Sequence, residues 1–337
     1  MKNKQVARLL VALAIMPFFL APAWGQAPFY EGKTITIMIG TASGGSIVAA
    51  RIIARHLGKY IPGNPAVVVQ SMLGGAHIVA SNHVFNTARP DGLTLLAANP
   101  NIAIAQLVKV EGVRFDVRKF AWLGSSGSDG VVLTIRSDLP YKTFEELRKS
   151  DRELVVGTTG PGSNAHDFPL LLKEFTGVKF KLVSGYPANS DILLALERKE
   201  VDVWSAFAAT VRPVAQRGAV RPLVRARVSS PGFDHLPVDE TLTNNPVGKA
   251  LMSIKTAPLA VGRALAAPPG TPAERLTLLR EGIAKALKDP ELDADARKAK
   301  IDFHYISAEE VSKGIGGILQ QPPEVQKEMV KYIKFGS

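Results

Sequence analysis

Two short runs carry the residues best suited to hold a ligand: Ser43-Gly44-Gly45-Ser46 and Gly160-Pro161-Gly162-Ser163-Asn164. Each follows an apolar run and precedes a helix-like stretch. A glycine-rich turn that opens a helix presents backbone N–H groups lacking intrahelical partners, at the positive end of the helix dipole. Phosphate and carboxylate both suit that place. Small side chains let a ligand approach the backbone, and serine hydroxyls add hydrogen bonds. The same runs also serve as tight turns in which serine merely caps the helix. A third turn, "SMLGGAHI", has the same character at Gly75 and adds His77. Its imidazole can donate to an anion or lie on the surface.

A nucleotide reading fails on spacing. "ASGGSIVA" lacks the lysine of a Walker A loop, no G-x-G-x-x-G follows a strand-like run, and "GTTGPG" has the reverse spacing without an acid placed to read a ribose. Neither H-E-x-x-H nor G-x-S-x-G occurs. The histidines, among them His56, His77, His83 and His166, do not fall at metal-ligand spacings. No metal or cofactor is expected. A secreted enzyme stays open on these grounds alone, because catalytic triads are assembled in space rather than in sequence.

The elements that must position these turns alternate. "TITIMIG" is strand-like and leads into a helix from about Ser46, with Ile47, Ala50, Ala54 and Leu57 on one stripe. "AVVVQSM" precedes "GGAHIVASNHVFNTA", and "LTLLAAN" precedes "IAIAQLV". Further on, "ELVVGTTG" leads into "SNAHDFPLLLKEFTG", followed by "KFKLVSGY", "SDILLALERKE" and "VDVWSAF". Repeated strand-then-helix order predicts an α/β fold with mainly parallel sheets flanked by helices. Thr143 with Glu146 and Thr271 with Glu274 match capping boxes, the second with Pro272 at the first helical position. "LAAPPG", residues 265–270, reads as an ordered connector.

Lys2, Lys4 and Arg8 precede the apolar run Leu9 to Leu20, and "APAWGQA" supplies small residues for cleavage after Ala27. Residues 1–27 therefore read as a secretory signal peptide. The chain has no cysteine, which excludes a disulfide framework and a cysteine-linked lipid anchor. The formal net charge is +11, but the basic residues are dispersed; "RKAK" at 297–300 is the densest run and reads as a solvated helix face. Together with export, this argues against nucleic acid and gives a bias toward anionic small molecules.

The run "SGGSIVAARIIARHLGKYIPGNPAVVVQSMLGGAHIVASNHVFNTARPDGLTLL" resembles the first domain of the substrate-binding proteins of tripartite tricarboxylate transporters, also called the Bug (Bordetella uptake gene) family. "FDVRKFAWLGSS", "YKTFEELRKSDRELVVGTTGPGSNAHDFPLLLKEFTGVKFKLVSGYP", "LALERKEVDVW" and "AAPPGTPAERLTLLREGIAKALKDPEL" continue the resemblance over nearly all of the chain beyond residue 27. It implies a two-domain periplasmic binding protein of the Venus-flytrap type with an interdomain cleft, without catalysis or cofactor. Residues 28–127 and 257–337 would form a discontinuous first domain, and 128–256 the second. Carboxylated ligands would be held by Ser43, Gly44, Gly45 and Ser46 on one side and Gly160, Gly162, Ser163 and Asn164 on the other. Gly75, His77, Asn99 and Tyr186 would complete the lining.

The implied role is a monomeric periplasmic receptor that captures a small organic anion, a carboxylate by expectation, and delivers it to membrane permease subunits. Signalling to a sensor kinase is an alternative on the same fold. Recognition would rest on turn backbones rather than an arginine clamp, since neither principal turn contains an arginine. Two positions depart from the family pattern. Ile47 stands where an Asp is usual, and Leu73-Gly74-Gly75-Ala76 replaces Pro-Gly-Ala-Gly. Ile47 either packs on its helix stripe or removes a group that could meet a ligand amine.

Overall fold

The structure, a computed structural model, describes residues 27–332 apart from 43–44, 75–76, 128–129, 229 and 300. The expected leader therefore lies outside the described residues except for Ala27, as do Ser43, Gly44 and Gly75. Among the described residues the chain forms ten strands: β1 (Thr34–Ile39), β2 (Ala66–Ser71), β3 (Thr94–Ala97), β4 (Ala121–Ser125), β5 (Val131–Arg136), β6 (Leu154–Thr158), β7 (Phe180–Ser184), β8 (Val203–Phe207), β9 (Val220–Arg225) and β10 (Ala264–Ala267). Twelve α-helices accompany them: α1 (Gly45–Leu57), α2 (Ile78–Asn86), α3 (Ile102–Leu107), α4 (Phe144–Arg148), α5 (Asn164–Thr176), α6 (Asn189–Glu197), α7 (Ala208–Gln216), α8 (Pro246–Val261), α9 (Ala273–Ala286), α10 (Pro290–Lys298), α11 (Ala308–Leu319) and α12 (Pro323–Tyr332). No helix among the described residues is long and apolar enough to cross a membrane.

The strands form two five-stranded sheets, ordered β2-β1-β3-β10-β4 and β7-β6-β8-β5-β9. In each, four strands run one way and one runs against them. β10 is antiparallel to β3 and β4, and β5 is antiparallel to β8 and β9. Each reversed strand is the one the chain enters on crossing between the sheets. The expectation of mainly parallel sheets holds with that exception. Ile35, Ile37, Met38 and Ile39 of β1 are all nearly inaccessible, as a strand covered by helices on both faces must be.

Two local readings need correction. Residues 265–267 are not connector but part of β10, paired inside the first sheet; only the residues after Ala267 in "LAAPPG" connect. Nor does Thr271 cap α9. Its hydroxyl donates to the carbonyl of Pro268 at 2.9 Å, and Pro272 occupies the cap position. At Thr143 the hydroxyl does accept from Glu146 N, whereas the Glu146 carboxylate takes the Lys142 N–H at 2.7 Å, one residue earlier than a full box requires. The complete capping box is at Ser307 and Glu310.

The two lobes share one core cluster. It joins Leu96 and Trp122 of the first sheet to Leu133 and Val156 of the second, and includes Leu251, Met252 and Leu259 of α8 and Ile315 of α11. The crossing itself is narrow. Arg263 N donates to Gly127 O at 3.1 Å, Ser126 N donates to Arg263 O at 3.3 Å, and His304 N donates to Ser126 O at 3.2 Å. A Cβ on Gly262, whose φ is +69°, would come within 2.5 Å of the Gly127 carbonyl carbon. Only glycine allows the two crossing strands to approach so closely.

A candidate anion-binding cleft

A cleft of about 620 Å³ opens between the sheets, and helix N-termini surround it. β1 ends at Ile39 and α1 begins at Gly45; β3 ends at Ala97 and α3 begins at Ile102. On the other lobe β6, β7 and β8 are followed by α5, α6 and α7. Gly45, Ser46, Asn99, Asn101, Asn164, Asn189, Ala209 and Thr210 from these five junctions all line the cleft. The carboxyl ends of mainly parallel strands thus face each other across it, the usual ligand position in open α/β sheets.

The first turns are fixed from below. Asn99 Oδ1 accepts from Asn101 N at 2.8 Å, closing an Asx turn at the entry of α3. The buried Ser205 hydroxyl lies 3.1 Å from Asn164 O and 3.5 Å from Ala165 O. The second contact matters because Pro169, four residues on, has no N–H to give the Ala165 carbonyl. Trp204 Nε1 donates to Asn189 Oδ1 at 3.3 Å, which commits the amide oxygen and leaves its nitrogen as the group to offer.

A buried ion pair locks the second glycine turn. Lys255 Nζ on α8 lies 2.6 Å from Asp167 Oδ2, and neither side chain is more than 3% exposed. Lys255 Nζ also donates to Gly162 O at 3.1 Å, and Gly162 N donates to Asp167 Oδ1 at 3.0 Å. His166 Nδ1 meets the same carboxylate oxygen at 2.9 Å. Ser163 is the N-cap of α5. Its hydroxyl donates to Gly160 O and accepts from Thr159 Oγ1 and His166 N, so the cap uses its bonding capacity. Gly160, Gly162 and Ser163 therefore form the turn behind Asn164, and only Asn164 of that group lines the cleft.

His77 lies beside the cleft. It adopts φ +79° at the N-cap of α2 and lines a cavity of about 10 Å³ together with Ser46 and Arg263. Burial pushes its imidazole below the usual histidine range, and Nδ1 is enclosed without a hydrogen-bond partner. Ile47 packs against Ile39 and Ala50, so it sits on its helix stripe and not in the cleft. Tyr186 packs at the edge of the second lobe's core and does not line the cleft.

The sequence reading missed Asn189, Thr210, Phe207 and Arg263, all of which line the cleft. Asn189 carried a signal, because the Asn-Ser pair before "DILLALE" marks a helix start. Arg263 carried none: it follows α8, which the residue pattern had not delimited, and only the crossing brings it here. Its Nη1 donates to Gly127 O at 3.2 Å. Arg263 is the one charged residue lining the cleft among the described residues, and no carboxylate lines it. Amides, hydroxyls, helix N-termini and one guanidinium make a site that favours an anion. Phe207, Leu259 and Ile301 give it apolar walls.

Elsewhere, His56, Asp289 and Glu291 place ligand-type atoms within 4.8 Å of one another. The Lys59 ammonium already occupies that cluster, 2.5 Å from Asp289 and 2.9 Å from Glu291, and holds the Asp289 carboxyl down at about 2.

The family model described as "Tripartite tricarboxylate transporter family receptor" matches residues 48–330. A UPF0065 protein of Agrobacterium vitis is 28% identical over 293 residues, covering 86% of this chain and 80% of its own. The unliganded structure of a TctC solute-binding protein from Polaromonas superposes with a TM-score of 0.71 at 19% identity, covering 90% of this chain and 99% of that one. MatC from Rhodopseudomonas palustris, solved with bound malate, gives a TM-score of 0.61 at 21% identity, covering 88% and 99%.

Proposed function

The chain belongs to the receptors of the tripartite tricarboxylate transporter family, and from that premise we propose that it captures a small organic carboxylate in the periplasm and delivers it to membrane permease subunits. The observation that carries this reading is the cleft lining: five helix N-termini and Arg263, with no carboxylate among the described lining residues. That field is built for a negative ligand, and the malate bound to a neighbour of this fold is one such compound. Gly45, Ser46 and Asn99 hold the solute from the first lobe, and Asn164 and Asn189 from the second. Arg263 stands at the crossing between them. The working division is residues 28–127 with 257–337 against 128–256, in a monomer that closes about the Gly127–Gly262 crossing. A ligand that touches both lobes favours the closed form by its extra contacts there.

The test is a thermal-shift screen of refolded, ligand-stripped protein against malate and other organic anions. A ligand at about 100 times its dissociation constant adds ~2.7 kcal/mol. A shift with a carboxylate that Arg263→Ala cuts by half or more supports the reading. Shifts with amines or neutral compounds alone, or consumption of the added compound, overturn it.

A further inference from the structure

A second hollow lies on the outside of the first lobe, between α1, the edge strand β2 and the end of α10, with a volume of about 720 Å³. α1 makes it possible by carrying a second stripe. Ile47, Ala50, Ile53 and Leu57 are buried against the lobe, whereas Val48, Arg51 and Arg55 line the groove, with Ile52, itself a buried core residue, beneath them. The spacing 48, 51, 52, 55 places those four on one helix face. Val67 and Val69, two residues apart on β2 and hence on one face of the strand, extend the apolar floor.

The rim is basic. Arg55 and Lys298 share one carboxylate, Asp295, at 3.2 and 3.5 Å, and His56 takes the same group at 3.2 Å. Arg51 is exposed and its side chain has no partner among the described residues. An apolar floor with an unbalanced positive rim, in a hollow within the ~300–1,000 Å³ of small-molecule sites, specifies its ligand by complementarity. We propose that this groove is a second binding site, for an amphipathic organic anion. Its apolar body lies on Val48, Val67 and Val69, over the buried Ile52, and its acid group meets the Arg51 guanidinium with Lys298 opposite. Val48 and Ala299 line both groove and cleft, so the two sites are neighbours separated by the first turns of α1. The groove's ligand class differs from the compact polar anions that suit the cleft.

The experiment is a fluorescence titration of the full protein with anilinonaphthalenesulfonate, then displacement by decanoate. The proposal expects saturable binding at one site. Arg51→Ala with Lys298→Ala should weaken it about tenfold, the worth of one charge-assisted contact. Arg263→Ala should leave it in place. Arg51 and Lys298 are exposed, so the double variant should keep its melting temperature and circular dichroism, and malate should still bind the cleft. Loss of the probe in Arg263→Ala with no change in the double variant would place the anion in the cleft and overturn the proposal. Absence of saturable binding, or an affinity indifferent to both variants, would overturn it as well.

Discussion

The Arg263 guanidinium and the Asn189 amide are the side chains on which anion capture should most depend. A hydrogen bond to a charged group is worth about 1.5–3 kcal/mol, so Arg263→Ala should weaken carboxylate binding roughly ten- to hundredfold by calorimetry. Asn189→Ala should cost less, since it removes a neutral donor. A different residue, Asp239, contributes to the pH response. Asp239 is 1% exposed, its Oδ1 lacks a partner, and burial pushes its carboxyl up to about 7 from 3.8. Between those values the folded protein holds a proton that the unfolded chain has lost. This carboxyl's contribution to stability therefore falls as pH rises through that window, by up to ~1.4 kcal/mol per pH unit, against an opposite contribution from the buried His77 imidazole below 6.5. Asp239→Asn should flatten the melting temperature between pH 5 and pH 8; an unchanged slope would assign the effect elsewhere.

At the scale of elements, α8 and α5 hold the second turn through Lys255 and Asp167. Removing one partner leaves a buried charge without compensation, at ~3–5 kcal/mol. Lys255→Met should lower the unfolding free energy from denaturant titration by that measure, and Lys255→Met with Asp167→Asn should recover part of it. Recovery would show that the single loss came from the stranded carboxylate rather than from lost packing. The Ser205 hydroxyl plays the smaller part, covering the Ala165 carbonyl that Pro169 cannot serve. Sequence showed "SNAHDFPLLLKEFTG" as a helix, since its apolar spacing is local. It could not show what satisfies the helix's first turn, because Ser205 and Lys255 lie far along the chain.

For the whole molecule, the crossing is the device to test. Gly262→Ala would place a Cβ against the Gly127 backbone at a left-handed φ. Such strain costs about 1–3 kcal/mol. The variant should melt lower and bind carboxylate more weakly, without any change to the cleft's own side chains. X-ray scattering should show the wild-type radius of gyration falling on ligand addition and the variant's falling less. An equal fall in both would mean that closure turns about some other segment.

The alternation of strands and helices and the helix-opening turns were legible in the sequence, because apolar periodicity and turn chemistry act over a few residues. Ile47 could be placed on its stripe for the same reason. What the tertiary structure decided is which turns meet. "LAA" at 265–267 looked like connector since it is short, and only pairing with β3 and β4 makes it part of a strand. Arg263 follows directly from that insertion, which carries the residue before β10 to the cleft. Ser163 and Asn164 are adjacent in sequence, yet one is consumed as a cap and the other faces the cleft. Local sequence fixes which groups can bind an anion, whereas long-range pairing fixes which of them still have capacity to do so.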